Sequence, residues 1–179
     1  MGTIIVRGNT SPSEQLWDYT DLGSTLTEWF DSSQQDSLEI SGSEFTWNSQ
    51  VGLNFARETD PAKFPSLVQN GLNGLSVVNF AGGQYLTFNT SITSYRTILI
   101  VYSQADNRLA STFLGSVYNN GGAFHGDTKS GTKSVFNITY TSLETRSGLN
   151  QHDGVSIGDG LTTPRPSSPV VALHIPTAA

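Results

Sequence analysis

Short runs in which apolar and polar residues alternate with a period of two recur along this chain, and most are closed by Gly- or Asn-rich turns. No other feature constrains the fold as strongly. A strand sends successive side chains to opposite faces, whereas a helix repeats its apolar positions about every 3.6 residues. Thr3–Arg7, Leu38–Ile40, Ser76–Phe80, Tyr85–Phe88, Arg96–Ser103, Ser134–Tyr140 and Val170–Ile175 are the predicted strands, rich in β-branched and aromatic residues. Gly82-Gly83, Asn119-Asn120-Gly121-Gly122, Asp153-Gly154 and Asp159-Gly160 supply the positive-φ positions that tight β connections require. Helix is confined to one place, where the capping residues Ser11-Pro12-Ser13-Glu14 precede Leu16, Trp17 and Tyr19 and Gly23 ends the pattern. Thr162–Pro169 reads as a stiff loop between strands rather than a linker.

The expected fold is therefore all-β: a two-sheet antiparallel β-sandwich of jelly-roll type with little or no helix. A length of 179 residues suits one domain over 1–179, large enough to hold a core without disulfide or metal staples. Val78, Phe80, Leu86, Ile98, Ile100 and Phe113 are the residues expected between the sheets.

Charged residues make up only 13% of the chain, well under the roughly 25% of an ordinary soluble domain, so Ser, Thr, Asn, Gln and Gly must cover the surface. Such a surface recognises partners by short-range hydrogen bonding rather than by long-range steering. A net charge of −6 with nine Lys and Arg argues against nucleic acid, which demands clustered cations. The absence of cysteine excludes disulfides, thiolate metal sites and thiol nucleophiles. No apolar run approaches the ~18 residues of a membrane span, and Met1–Arg7 lacks the apolar core of a signal peptide.

The run Phe64-Pro65-Ser66-Leu67-Val68-Gln69-Asn70-Gly71-Leu72-Asn73-Gly74-Leu75-Ser76-Val77-Val78-Asn79-Phe80-Ala81-Gly82-Gly83-Gln84-Tyr85-Leu86 is the most informative stretch. Asn70-Gly71 and Asn73-Gly74 read as two successive turns, and Val78, Phe80, Tyr85 and Leu86 as a hairpin around Gly82-Gly83. This run resembles the laminin-G-like jelly-roll domains of the concanavalin A-like lectin and glucanase superfamily, where a P-x-L-V-x-N-G-L-N-G-L-x-V-V-x-F-x-G pattern precedes a Tyr-Leu strand. Leu16-Trp17-Asp18 and Trp29-Phe30-Asp31-Ser32-Ser33 are similar to the family's opening elements, and Arg96–Tyr102 to its long inner strand. The resemblance covers roughly Leu16 to Gly126. It implies a sandwich whose last strands pair with its first. Because the chain ends at Val170–Ile175 and a short tail, the expectation is a domain lacking its last strands, with an exposed sheet edge covered by a second copy, a different protein or the remainder of a longer parent chain.

Candidate site residues divide between core and loops. Trp47, in a polar stretch, is the tryptophan best suited to stack on a sugar ring; Trp17 and Trp29 read as core. His125 and Asp127 lie in Gly121–Asp127, and Asn150, His152 and Asp153 in Asn150–Gly154; both segments read as polar, Gly-rich loops of the type that carries function on a rigid sandwich. With Asn119 and Asn120 these complete the expected ligand-binding set. Asp153, Asp159 and the nearby amides offer oxygens that calcium accepts, but in no EF-hand spacing, so no cofactor or metal site is assigned. The three histidines are too far apart in sequence for a local metal motif. Glu58-Thr59-Asp60 begins the Glu-x-Asp-x-x-Glu strand motif of the related glucanases, but Pro61, Ala62 and Lys63 follow without a third carboxylate, so no catalytic residues are assigned.

Two function classes follow. One is a non-catalytic, lectin-like module that recognises a glycan or cell-surface polymer, as the resemblance implies. The other is a structural component of a viral particle, a decoration, fibre or coat protein that uses the sandwich as a rigid unit. Either places the chain at an extracellular surface or on a virion. A glycan-degrading enzyme is the third and weakest reading.

Overall fold

A computed structural model describes residues 19–90, 96–103, 114–115, 123–125, 148–160, 162–164 and 166–176. These residues form an all-β structure of antiparallel strands with only short 3-10 turns for helix. They fall into two compact units, one within 7–94 and one within 95–179.

In the first unit, β1 (Leu38–Ile40), β2 (Phe45–Asn48), β3 (Phe55–Glu58) and β6 (Thr87–Phe88) form a four-stranded sheet in the order β1-β2-β3-β6. Register fixes its faces. Phe45 pairs with Ile40 and Glu58, Trp47 with Leu38 and Ala56, and Ala56 with Phe88, so all of these share one face. That face carries the core: Phe45 is 1% exposed, and Leu26, Trp29 and Ala56 are buried with it. Phe45 packs against Phe64 at 6.3 Å between ring centroids, and Phe30 meets Trp47 edge-on at 5.8 Å and Phe88 at 5.5 Å. The opposite face is polar. There Asn48 donates to Glu39 at 2.9 Å, Thr46 donates to Glu44, and Arg57 lies 3.8 Å from the Glu44 carboxylate. Neither β2 nor β3 is among the strands expected from sequence, because four residues carry too little alternation to stand out beside the polar Ser49–Asn54 connection.

A hairpin of β4 (Ser66–Leu72) and β5 (Leu75–Asn79) forms a separate two-stranded sheet of this unit. Asn73 (φ 50°) and Gly74 (φ 80°) make its two-residue turn, closed by the Leu72–Leu75 pair, as the Asn-Gly signal leads one to expect. Asn70-Gly71 corrects the sequence reading. It is a bulge inside β4, where the register shifts between Val68 and Leu72, and not a second turn.

The expected hairpin around Gly82-Gly83 is likewise overturned. β6 pairs with β3, not with β5, so residues 80–86 carry the chain from one sheet to another. Phe80 is accordingly 41% exposed instead of buried, while Val78, Leu86, Ile98 and Ile100 are half-buried. Tyr19–Thr25 is a pair of 3-10 turns broken at Gly23. The predicted strands Thr3–Arg7 and Ser134–Tyr140, the helix-start signal at Ser11–Glu14 with Leu16 and Trp17, and Phe113 lie outside the described residues.

The second unit is built on β7 (Ile98–Tyr102), β10 (Gly148–His152), β11 (Val155–Ser156) and β12 (Val170–Pro176), ordered β11-β10-β12-β7. β8 (Leu114–Gly115) and β9 (Ala123–His125) form a short antiparallel pair. The strand nearest the chain end, β12, bonds to β10 on one side and β7 on the other, so Val171 and Leu173 lie in a central strand and present no open edge. Asn150–Gly154 is also corrected from a loop: Asn150 and His152 belong to β10, and Asp153 (φ 49°) with Gly154 (φ 79°) is the tight turn to β11.

The β4 bulge is held by close packing. A Cβ at Gly71 would sit 2.5 Å from Val77 Cγ2 and 3.3 Å from the Val68 carbonyl oxygen, so Gly71→Ala must push β5 away or open the bulge. The expected cost is about 1–3 kcal/mol in urea melts, with partial recovery in the Gly71→Ala, Val77→Ala double variant. Additive losses from the two substitutions would show that the contact does not limit the packing.

Candidate ligand platform

The register that buries the core face of the first sheet also puts a carboxylate on it. Glu58 faces the same way as Phe45 and is only 9% exposed, and an ionised carboxylate there has to be satisfied by donors. Its Oε1 accepts the backbone N–H of Thr59 and of Asp60, each at 2.8 Å. The Asp60 N–H is the largest influence holding Glu58 below the ordinary value of 4.5; burial opposes it, and Thr59, Tyr85 and the nearby Lys63 charge add to it.

Asp60 caps the 3-10 turn Pro61–Lys63 by accepting the Ala62 N–H at 3.1 Å. That bond, then its contact with Lys63, keeps Asp60 below its usual value. Lys63 Nζ lies 3.2 Å from Asp60 Oδ2 and 5.5 Å from the centroid of the Tyr85 ring. Asp60 first, and the Tyr85 hydroxyl second, raise the Lys63 ammonium above its usual value.

Beside this charged cluster lies a partly exposed aromatic ring. Tyr85 is 37% exposed, with the Lys63 ammonium 5.5 Å from its ring centroid. At the other end of the Gly82-Gly83 connection, Phe80 is also exposed, and Gln84 closes the segment by accepting the Ala81 N–H at 2.5 Å. Sequence reasoning missed both aromatics because it folded them into a core hairpin. The available signal was length: residues 81–86 are too many for the two-residue hairpin that Gly-Gly suggests.

Of the residues assigned from sequence, Trp47 lies in the first unit, and Asn150, His152 and Asp153 lie together in β10 and its turn in the second. Trp47 packs edge-on against Phe30, and its indole Nε1 is buried without a partner among the described residues. Asn150, 2% exposed, accepts from His174 Nδ1 through Oδ1 and donates to the Gly158 carbonyl at 2.7 Å through Nδ2. His152 is half-buried edge-on to Tyr102, with Nε2 3.4 Å from the tyrosine hydroxyl. Burial pushes its imidazole below the ordinary value, with the Asp153 charge partly opposing. Asp153 accepts the Val171 N–H at 2.8 Å and donates its own N–H to the Val171 carbonyl at 2.9 Å, which ties the β10–β11 turn to β12. Asn119, Asn120 and Asp127 lie outside the described residues, as does the side chain of His125 in β9. Among the described residues, no three His, Cys, Asp or Glu side chains gather to hold a metal ion, and no helix is long and apolar enough to cross a membrane.

Because Glu58 titrates lower in the folded chain than in the unfolded one, the unfolded state binds the proton more readily in acid. The stabilisation is present above the unfolded value, near 4.5, and is lost as pH falls through the lower folded value. In urea melts against pH, Glu58→Gln is expected to be less stable than the parent at neutral pH and to close that gap on acidification. A gap independent of pH would show that the carboxylate's ionisation contributes nothing.

Comparison with models of known protein families, with characterised proteins and with solved structures finds no match in any of the three, so the functional reading rests on this geometry.

Proposed function

We propose that the chain is a non-catalytic binding module that recognises a glycan or similar hydroxyl-rich cell-surface polymer, with Tyr85 and Phe80 as its aromatic contacts. The observation that carries this reading is Tyr85, 37% exposed, with the Lys63 ammonium of the Asp60–Lys63 ion pair 5.5 Å from its ring centroid. The apolar face of a pyranose stacks on such a ring. Asp60, Lys63 and Gln84 lie around it and supply acceptors and donors for sugar hydroxyls.

The same geometry weighs against hydrolysis. A glycosidase keeps one of its two carboxyl groups protonated near neutral pH to act as the acid. Glu58 and Asp60 are both held below their ordinary values, Glu58 most strongly by the Asp60 N–H and Asp60 by the Ala62 N–H, so both are anions with structural partners. The membership suggested by the Phe64–Leu86 run, a concanavalin A-like jelly roll, remains part of this proposal, and the surface or virion location follows from it.

A glycan array followed by titration tests the reading. The parent is expected to bind a defined subset of glycans, and Tyr85→Ala and Phe80→Ala to weaken that binding about three- to tenfold each, the range that ~0.5–1.5 kcal/mol of aromatic contact implies. Their far-UV spectra should match the parent's. An array with no selective binding, or binding unchanged in both variants, refutes the proposal.

A further inference from the structure

We infer that Asn73, at the tip of the β4–β5 hairpin, is a self-modification site, converted through a cyclic imide to aspartate and isoaspartate, while Asn70 in the same strand is protected by the fold. The two asparagines have the same local sequence. Each is followed by glycine, each is exposed, and each has a positive φ, 55° at Asn70 and 50° at Asn73. They differ in what holds the glycine whose nitrogen must react.

The chemistry needs only the chain and water. The Gly74 backbone nitrogen attacks Cγ of Asn73, forming an N–Cγ bond. The Cγ–Nδ2 bond breaks, and the amide leaves as ammonia with the proton given up by the Gly74 nitrogen. Water then opens the five-membered ring. Cleavage at Cγ yields an ordinary aspartate at this position; cleavage at the main-chain carbonyl yields isoaspartate, with the backbone rerouted through Cγ. Nothing is oxidised or reduced. Each product adds a carboxylate to a chain whose net charge is −6.

At Asn73 the structure leaves this path open. Residues 73 and 74 are the central pair of a two-residue turn, beyond the last ladder pair Leu72–Leu75, and no atom lies within 4 Å of a Cβ built on Gly74. The Gly74 nitrogen can swing toward the Asn73 side chain without breaking a cross-strand pair. At Asn70 the path is closed. Gly71 sits in the β4 bulge against Val77 and the Val68 carbonyl, with paired residues on both sides. Rotating its peptide requires local opening of the β4–β5 ladder, which restricts reaction to the open fraction of molecules. Conversion to isoaspartate would also lengthen the backbone of a turn whose geometry admits only two residues, so the modification reports on the hairpin as well as depending on it.

Peptide mapping by mass spectrometry of the intact chain, aged in mildly alkaline buffer at 37 °C, is the test, with deamidation read as a gain of about 1 Da. In the folded chain the Asn73 site is expected to react at least about tenfold faster than Asn70, and in urea the two rates should converge, since unfolding removes the protection. Fragment ions separate the two positions within one peptide, and Asn120-Gly121, outside the described residues, is read on its own peptide. The Asn73→Asp variant, able to keep the positive φ, should lose the fast mass shift and retain the slow one. Equal rates in the folded chain, a faster Asn70, or a rate difference that persists in urea would each overturn the inference.

Discussion

The Glu58 carboxylate on the apolar face of a sheet is the constraint from which the organisation of the first unit follows. An anion beside Phe45 cannot be left without donors, because a buried charge that loses its partners is among the most destabilising features a fold can carry. The donors here come from the chain just beyond β3. The backbone turns sharply at Thr59 and Asp60 so that two N–H groups point at one oxygen, Asp60 then caps the following 3-10 turn, and that turn delivers Lys63 to Asp60 and Tyr85. The exit from β3 and the 3-10 turn are thus linked through the Glu58 and Asp60 carboxylates.

The second unit meets the same requirement without charge. Asn150 and His174 face each other across β10 and β12 on the buried face of their sheet. Because Asn150 Nδ2 donates to the Gly158 carbonyl, its Oδ1 is turned to His174, and an oxygen can only accept; His174 Nδ1 therefore carries the proton. The Asn150 backbone carbonyl accepts the Ile157 N–H at 3.0 Å, so one residue ties β12, β10 and the segment after β11 together. An amide has both a donor and an acceptor to offer, which is why a single buried asparagine can do this where a carboxylate would need several donors.

How much of this was legible in the sequence depended on whether the signal was local. The all-β class, the β5, β7 and β12 strands and the Asn73-Gly74 and Asp153-Gly154 turns follow from period and dipeptide, which neighbouring residues largely determine. Pairing was not legible. Asn70-Gly71 has the composition of Asn73-Gly74 and became a bulge, because Leu67 and Val68 on one side and Leu72 on the other are all engaged by β5. Asn150 and His152 sit in a segment whose polar composition reads as loop, yet β12 supplies the partners that make it a strand. Glu58 was weighed as the start of a catalytic motif, and nothing in the residues beside it announces that its side chain would face inward against Phe45.

The exposure of Phe80 and Tyr85 is itself a consequence of topology. β5 ends at Asn79 with its pairing to β4 complete, while Thr87 and Phe88 must reach the edge of a different sheet beside β3. The connection between them has no ladder to satisfy its backbone groups, and a chain without a ladder runs on the surface where water can do so. Gly82 and Gly83, both at positive φ, let it turn, and the Gln84 side chain replaces one missing main-chain partner. The aromatics at the two ends are then carried outward by the path of the backbone in spite of their apolar character. Tyr85 stays partly exposed with the Lys63 ammonium 5.5 Å from its ring centroid. A feature that composition alone would assign to the core is in this way turned into a surface by the path of the chain between two sheets.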